Sequence, residues 1–542
     1  MTSAPGDSPG PDRGSARTPE TGPAAGPAPT VPAQAGPGPG PGPTGPTSPA
    51  RGVAAPPEVP EVPGEDVPRE GARIGWLRPW HTLWFLLLLG WTVSAADRAV
   101  TGPVVTWMID NGVGFLAHAE NPHALGGLIG GLFFAGYMLT QFPGGYLGDR
   151  YGHRTLIVVS LLWAGICTLL TGFLTGLLAF IVIRVVTGLG EGAFYSNDRT
   201  LITHSTPERH RSLGMGVVIT GLALGITIAI VFTPHFIDFG QLFMPDVEAW
   251  RMVFWLLGVA TLLVGLLVAY RFRAHLSLAL LGRATLHLGA YSAVALVLIM
   301  AVYVLGDKAG LSDLWIALLE VALAVGLVLF ALSRKGEELK PVLKNRNLFL
   351  IYIANIAILW NLWFFSFWSV SIVSGAADSS FMSGALTAGF NAGAGILGFP
   401  VGGWLSDYGV RRGWGRKEMM LTFTGVQALL TVAFAWYITT AEKPSLWIMG
   451  ILLFTASLFF NALQPVGHAL TADLAKPELR GSAFGMENLI GEMGAVLSPA
   501  ISGVLRDSTG DWSAAVWLDA GIVAAGFCVL AMVRTERRPA LA

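Results

Sequence analysis

Apolar segments of about 20 residues recur along most of this chain, and they restrict its fold more than any other feature. A helix of about that length crosses the hydrocarbon core of a bilayer and satisfies its own backbone hydrogen bonds there. The sequence is 53% hydrophobic and only 13% charged. We therefore predict an all-α polytopic membrane protein in contact with membrane lipid.

Residues 1–72 differ in composition from the rest of the chain. They hold 19 of the 33 prolines, together with much Gly, Ala and Ser, and they contain no aromatic residue. Because such a stretch cannot bury enough apolar surface to form a core, we expect a disordered cytoplasmic tail. It has no basic region followed by an apolar core, so we do not expect a cleavable signal peptide.

Hydropathy divides the remaining sequence into two sets of six spans around a central region. The N-terminal six-helix bundle is predicted at residues 80–272 and the C-terminal six-helix bundle at residues 347–535. The central linker, residues 273–346, contains two further apolar segments, at 285–305 and 314–333, each long enough to span. The prediction is therefore fourteen spans.

Basic residues in the loops agree with this count, because Lys and Arg concentrate in short cytoplasmic loops. With fourteen spans and a cytoplasmic N-terminus, four basic residues fall on the other side: Arg251, Lys308, Lys443 and Arg506. Both ends of the central pair of segments are flanked by basic residues, so the pair leaves the orientation of the second half unchanged. We expect a multi-pass protein of the cytoplasmic membrane with both termini in the cytoplasm.

Four charged residues interrupt the apolar segments: Asp97 and Arg98 in the first span, and Arg184 and Glu191 in the fourth. A charge at membrane depth costs at least about 2.5 to 3.5 kcal/mol, so it usually faces a bundle interior or a water-filled cavity. Arg184 and Glu191 are nearly two helical turns apart and share one face. Asp97 and Arg98 point about 100° apart, and we favour Arg98 for the substrate cavity. The alternative is that static salt bridges fix the helix register.

A short motif occurs at matching places in the two halves, after the second span of each. It reads Gly-Tyr-Leu-Gly-Asp-Arg-Tyr-Gly-His-Arg at 145–154 and Gly-Trp-Leu-Ser-Asp-Tyr-Gly-Val-Arg-Arg at 403–412. The motif resembles the loop 2 to 3 signature of the major facilitator superfamily, whose members have two six-helix halves that rock around a central site. The second copy departs from the signature at Tyr408. The resemblance implies a gating or packing role for Asp149, Arg150, Arg154 and Asp407.

The fourth span reads Arg-Val-Val-Thr-Gly-Leu-Gly-Glu at 184–191. Together with the Asp-Arg pair of the first span, it resembles the anion:cation symporter family within that superfamily. The resemblance covers both six-helix halves but not the tail or the central linker. It implies that Asp97 and Glu191 bind and release protons, and that Arg98 and Arg184 engage the substrate anion or hold those carboxylates.

The chemistry of these residue types agrees with that implication. Desolvation favours the neutral form of a carboxyl group and a nearby arginine favours the charged form, so its charge state can respond to a bound anion. Arginine remains cationic and can grip a carboxylate with two hydrogen bonds. If an anion competes with Asp97 or Glu191 for an arginine, protonation and anion binding favour each other.

Other polar residues within the spans are weaker candidates for substrate binding, and interhelical hydrogen bonding explains them equally well. They are Tyr137, Gln141, Asn391 and Asn488. Glu487 and Glu492 place two carboxylates in one helix of the second half without a basic neighbour in sequence. They suggest a second proton or cation site.

The sequence thus predicts a proton-coupled symporter of a small organic anion, such as a sugar acid or another carboxylate, that works by alternating access as a monomeric unit. A related pattern resembles spinster-type lysolipid transporters, which is the main alternative. A proton-driven drug exporter is less favoured, because cavity arginines disfavour cationic drugs. No Walker motif, metal-ligand set or nucleophile with its base is present, so we expect no cofactor and no enzymatic activity. A net charge of -1 indicates no nucleic-acid partner.

Overall fold

The structure is a computed structural model that describes residues 78–207, 211–476 and 479–535. The predicted tail at residues 1–72 lies outside the described residues. The described chain contains fourteen α-helices and no β-strand. The prediction of an all-α protein is confirmed.

The helices fall into two sets of six with a pair between them. The N-terminal set consists of α1 (Pro79–Asp110), α2 (Pro122–Tyr151), α3 (His153–Thr171), α4 (Leu177–Ser205), α5 (Arg211–Gln241) and α6 (Arg251–Phe272). The central pair consists of α7 (Leu278–Lys308) and α8 (Asp313–Lys344). The C-terminal set consists of α9 (Arg346–Ala377), α10 (Phe381–Arg411), α11 (Arg416–Thr440), α12 (Leu446–Leu474), α13 (Arg480–Thr509) and α14 (Ser513–Ala531).

Each predicted apolar segment overlaps one of these helices. Among the described residues, twelve helices are long and apolar enough to cross a membrane, which makes the chain a multi-pass membrane protein. Helices α8 and α10 are not among the twelve, so the prediction of fourteen spans is not confirmed. Eight glycines in α10 lower its hydropathy.

The two sets repeat one packing scheme. In the N-terminal set, α1 packs against α5 and α2 packs against α4, while α3 contacts α4 and α6. In the C-terminal set, α9 packs against α13 and α10 against α12, while α11 contacts α12 and α14. The sets meet through α2 with α13, α5 with α10 and α1 with α9. The central pair lies along this boundary, because α7 packs on α2 and α8 packs on both α2 and α13.

One end of the bundle, which we call the termini face, carries the start of α1 and the end of α14. At this face Asn347 Nδ2 donates a hydrogen bond of 2.7 Å to the Arg534 carbonyl, and Trp84 Nε1 donates one of 3.0 Å to Thr206 Oγ1. These contacts join the start of α9 to the end of α14, and the start of α1 to the end of α4. The other end is called the opposite face below.

Helices α2 and α13 meet closely at the opposite face. Asp507 Oδ1 lies 2.7 Å from His123 Nδ1, and Asp507 Oδ2 accepts a hydrogen bond of 2.8 Å from the Ala124 backbone N–H. A Cβ added at Gly127 would overlap the Pro499 carbonyl oxygen. Small residues permit such close backbone approach between helices in a membrane. The two sets are therefore in direct contact at this face.

Replacing Gly127 by alanine tests this close approach. Because the added Cβ would overlap backbone atoms of α13, we expect Gly127→Ala to lower the free energy of unfolding by about 1–3 kcal/mol, the usual range for overpacking. The measurement is thermal unfolding of the purified protein, followed by tryptophan fluorescence. Gly393→Ala in α10 is the matched control, because no described atom lies within 4 Å of an added Cβ there. Equal unfolding midpoints for the two variants would contradict the α2 and α13 contact.

Candidate functional site

A cavity lies between the two sets of helices. From the N-terminal set its wall includes Arg98 and Tyr137, and from the C-terminal set it includes Glu487, Asn488 and Glu492, with many apolar side chains between them. Because α13 begins at the termini face, Glu487 lies about 10 Å and Glu492 about 18 Å from that end of the helix. The charged groups of the cavity are thus well inside the bundle.

The four charges of α1 and α4 pair across the two helices. Arg98 Nε donates to Glu191 Oε2 at 2.7 Å, and Arg184 Nη1 donates to Asp97 Oδ1 at 3.1 Å. All four side chains are buried, with relative exposures between 0 and 4%. Neither arginine pairs with the carboxylate on its own helix. Each ion pair therefore fastens α1 to α4.

Arg98 is the member of this group that faces the cavity. Its Nη2 donates to Ser94 Oγ at 2.9 Å, and Ser94 Oγ in turn donates to Glu191 Oε2 at 2.7 Å. Its Cζ lies 4.3 Å from the centroid of the Tyr137 ring, a favourable cation–π distance. Within the described residues Nη1 makes no hydrogen bond. This nitrogen can therefore donate to a bound ligand.

Arg184 has a different environment, away from the cavity wall. Its Nη2 donates to the Asp97 carbonyl oxygen at 2.9 Å, and its Cζ lies 4.7 Å from the centroid of the Phe133 ring. Asp97 Oδ1 also accepts a hydrogen bond of 2.7 Å from Thr168 Oγ1. The geometry suits an arginine that positions Asp97 more than one that touches a substrate.

The two ion pairs adjoin one another, since the carboxyl groups of Asp97 and Glu191 lie within hydrogen-bond reach. Asp97 Oδ2 and Glu191 Oε1 each lack a hydrogen-bond donor in the described part of the chain. Two adjoining carboxylates repel each other when both are ionised, and one proton between them removes the repulsion. The four residues can therefore hold two arginine charges, two carboxyl groups and an exchangeable proton.

Two of the weaker candidates meet beside this group. Asn488 Nδ2 donates to Gln141 Oε1 at 2.9 Å, which links α13 to α2, and it lies 3.3 Å from Glu492 Oε1. Tyr137 lines the same cavity. Asn391 does not join them, because it lines a separate small cavity inside the C-terminal set together with Asn361.

The first copy of the repeated motif ends α2 and begins α3 at the termini face. Gly152 joins the two helices with a φ of 90°, a conformation that favours glycine. Asp149 Oδ1 lies 3.5 Å from His153 Nε2, and the Arg154 guanidinium lies 5.7 Å from the centroid of the Phe272 ring. Arg150 lies over the Tyr151 ring. The motif therefore forms a tight corner at this face.

The second copy lies at the equivalent place, where α10 leads into α11. The side chain of Asp407 lies outside the described part of the structure. Nearby, Arg416 at the start of α11 forms an ion pair with Asp473 near the end of α12. This ion pair fastens two helices of the C-terminal set at the termini face.

Sequence reasoning missed Ser94 and Thr168, and it favoured an interfacial position near a helix end for His468, which lines the cavity. Ser94 lies one turn before Arg98 on the same face of α1, so the spacing of four residues was a usable signal. Thr168 lies on α3, and no spacing relates it to Asp97. His468 Nδ1 on α12 lies 3.7 Å from Glu487 Oε1 on α13. No spacing in the sequence relates these two residues, because they lie on different helices.

Comparison with known proteins agrees with the architecture. The family model described as the Major Facilitator Superfamily matches residues 87–456 and 348–542. The chain belongs to the major facilitator superfamily. A solved structure described as a bacterial homologue of the human lysosomal transporter spinster, in an inward-facing and occupied conformation, superimposes with a TM-score of 0.61 over 84% of this chain and 97% of that chain. At 15% identity this likeness concerns the fold.

Curated relatives of this superfamily member are named as transporters of anions. The D-galactonate transporter of Escherichia coli is 23% identical over 74% of this chain and 85% of its own length. The probable galactarate/D-glucarate transporter of Bacillus subtilis is 23% identical over 84% of this chain and 92% of its own length. A probable chloroplastic anion transporter of Arabidopsis thaliana is 33% identical, but the chain spans only 27% of that relative.

The ion pair between Arg184 and Asp97 predicts a loss of stability when one partner is removed. Arg184→Met leaves a buried carboxylate without its cation, so we expect the free energy of unfolding to fall by about 3–5 kcal/mol. The double variant Arg184→Met with Asp97→Asn should lose less than the sum of the single changes in a double-mutant cycle of thermal unfolding. Arg273→Met, at an exposed arginine, is the control. An unchanged midpoint for Arg184→Met would rule out this structural role.

Proposed function

We propose that this protein is a proton-coupled symporter that carries a small organic anion, such as a sugar acid or another carboxylate, across the cytoplasmic membrane. The observation that supports the proposal most directly is the position of Arg98. Arg98 lines the cavity, and its Nη1 makes no hydrogen bond in the described structure while its Nε donates to Glu191. A single guanidinium thus connects the ligand space to a buried carboxyl group.

Coupling follows from competition for that guanidinium. A substrate carboxylate that binds Arg98 withdraws part of the positive field that keeps Glu191 ionised. Glu191 then binds a proton more readily, and the adjoining Asp97 offers a second oxygen to hold it. Protonated Glu191 in turn releases Arg98 to the substrate. Proton and anion therefore stabilise each other in the occupied site, which is the requirement for symport.

The remaining predicted residues take supporting roles in this proposal. Arg184 positions Asp97, while Tyr137 stacks on Arg98 and Asn488 with Gln141 closes the side of the site next to α13. Asn391 is not part of it, because its cavity is separate.

Alternating access requires the two sets to separate at one face and meet at the other. The contact of α2 with α13 is the proposed seal at the opposite face. The corners at the termini face are the proposed gate on the other side, with these motif residues: Asp149, Arg150, Arg154 and Asp407. We propose the domain boundaries of the sequence analysis for the two bundles, fourteen spans in all, and a cytoplasmic termini face.

A lysolipid transporter is the second candidate, because much of the cavity wall is apolar. Ile219, Leu222, Ile358, Leu359 and Leu463 all line it. An acyl chain could lie against such a wall with its headgroup at Arg98. Flux of a fluorescent lysolipid through reconstituted protein, without uptake of any small carboxylate, would favour this candidate.

Binding of a carboxylate should depend on Arg98. A hydrogen-bonded charge contact in a buried site is worth about 2–5 kcal/mol when one partner is truncated, so we expect Arg98→Ala to weaken binding by at least about 30-fold. The measurement is isothermal titration with a panel that includes D-galactonate and D-glucarate. Arg273→Ala is the control at an exposed arginine. Normal binding to Arg98→Ala would remove Arg98 from the site, and a panel in which nothing binds the native protein would refute anion symport.

Accumulation against a gradient should depend on Glu191. In proteoliposomes with an acidic exterior, the native protein should concentrate the anion, and a protonophore should abolish this. We expect Glu191→Gln to lose proton-driven accumulation at every external pH, since it cannot exchange a proton, but to retain exchange of internal for external anion. Glu320→Gln, at a buried glutamate of α8 outside the cavity wall, is the matched control. Full accumulation by Glu191→Gln would exclude Glu191 from coupling.

A further inference from the structure

The walls of the central cavity carry unequal charges. Among its described lining residues Arg98 is the one arginine and His468 the one histidine, whereas Glu487 and Glu492 both line it from α13. Arg184 is not on the wall and is neutralised by Asp97. The charge of Arg98 is itself partly taken up by Glu191. A ligand in this cavity therefore meets more carboxylate than guanidinium.

One carboxylate oxygen of Glu492, Oε2, accepts no hydrogen bond of good geometry in the described structure. The side chain is only 5% exposed, and Oε1 lies 3.3 Å from Asn488 Nδ2. Oε2 is buried and accepts no hydrogen bond of good geometry in the described structure, although the Gln141 side chain comes within reach of the carboxyl group. Glu492 and Arg98 interact electrostatically across the cavity. A buried polar atom without a partner is costly, so this oxygen marks a position for a donor that a ligand supplies.

Glu487 repeats this arrangement nearer the termini face. It is 4% exposed, and its Oε2 also lacks a partner among the residues described. The His468 ring lies 3.7 Å from the other oxygen, which is beyond hydrogen-bond distance. Glu487 and Glu492 are five residues apart, or about 7.5 Å along the axis of α13. The cavity thus offers two acceptors at successive depths.

We propose that the substrate carries an ammonium group as well as a carboxylate, as amino acids and amino sugar acids do. This inference rests on the proposed function, which assigns the substrate carboxylate to Arg98. The ammonium group lies against Glu492 Oε2 in the occupied site, and Glu487 offers it a second acceptor on the side of the termini face. An ammonium group has three donors and no acceptor, which matches carboxylate oxygens that lack donors.

A substrate that carries both charges also matches the two kinds of charged group on the cavity wall. A plain carboxylate would add a negative charge beside Glu492 and leave its Oε2 without a donor. A plain amine would satisfy Glu492 but leave the free Nη1 of Arg98 without an acceptor. A zwitterion pairs with both walls and brings no net charge. It also spans the N-terminal and C-terminal sets, so its binding favours closure of the two sets around it.

The test compares matched acids that differ only in the amino group. The probes are L-alanine with L-lactate and L-glutamate with L-2-hydroxyglutarate, and binding to the full-length protein in detergent is measured by isothermal titration. In at least one pair we expect the amino acid to bind at least tenfold more tightly than the hydroxy acid. N-acetylation of that amino acid should abolish this advantage. This comparison uses the native protein alone and does not depend on how a variant folds.

The role of the Glu492 carboxylate is tested with Glu492→Gln. This variant should reduce the preference for the amino acid to less than threefold. Its affinity for the hydroxy acid should be unchanged or higher. Glu320→Gln is the matched control, since Glu320 is also buried and both of its oxygens lack partners within the described chain, yet it lies on α8 outside the cavity wall. It should retain the full preference. Loss of affinity for both acids in Glu492→Gln would overturn the proposed ammonium contact.

Four further outcomes would overturn the inference in distinguishable ways. Equal or tighter binding of the hydroxy acids by the native protein would remove the ammonium requirement and leave anion symport standing. Binding of 1-propylamine as tightly as L-alanine would show that the carboxylate is not recognised. A requirement for Na⁺ that disappears in Glu492→Gln would assign the glutamate to a metal cation. If no acid of either kind binds, the inference fails, and if D-galactonate and D-glucarate do not bind either, the proposed function fails with it.

Discussion

The ion pair between Arg98 and Glu191 is the interaction on which the site depends. It joins α1 to α4 in apolar surroundings, where a charge left without its partner is strongly unfavourable. Arg184 and Asp97 fasten the same two helices a short distance away. Because these charges are satisfied inside the N-terminal set, that set can move as one body. Relative motion is therefore expected where the two sets meet, at α2 with α13 and at α5 with α10.

Much of the fold could be predicted from the sequence, because a helix is the main way to satisfy the backbone of a 20-residue apolar segment in a bilayer. The number of spans was less secure, since the many glycines of α10 weaken its apolar character. The cost of burying charge singled out Asp97, Arg98, Arg184 and Glu191. Their pairing was not predictable, because it depends on how α1 is rotated against α4. Likewise, nothing in the sequence around Asn391 tells which cavity it faces.

The central pair of helices, α7 and α8, is in contact with both sets of six helices. Helix α8 packs on both α2 and α13, the two helices that meet at the opposite face. Any movement that separates α2 from α13 must therefore slide α8 along at least one of them. Its partner α7 packs on α2, α3 and α4 and so stays with the N-terminal set. The simplest motion keeps both helices with that set and moves α13 across the surface of α8.

The acidic residues of α13 change the argument about substrate charge. From the sequence, arginines in the cavity speak against cationic ligands. In the structure Arg184 is withdrawn from the wall and Arg98 is bound to Glu191, while Glu487 and Glu492 remain on the wall. Net charge alone therefore no longer excludes a cationic group. What still favours an anionic group is the Nη1 of Arg98, which makes no hydrogen bond in the described structure. In the occupied site that we propose, specificity depends on the distance between two opposite charges, one on each set of helices.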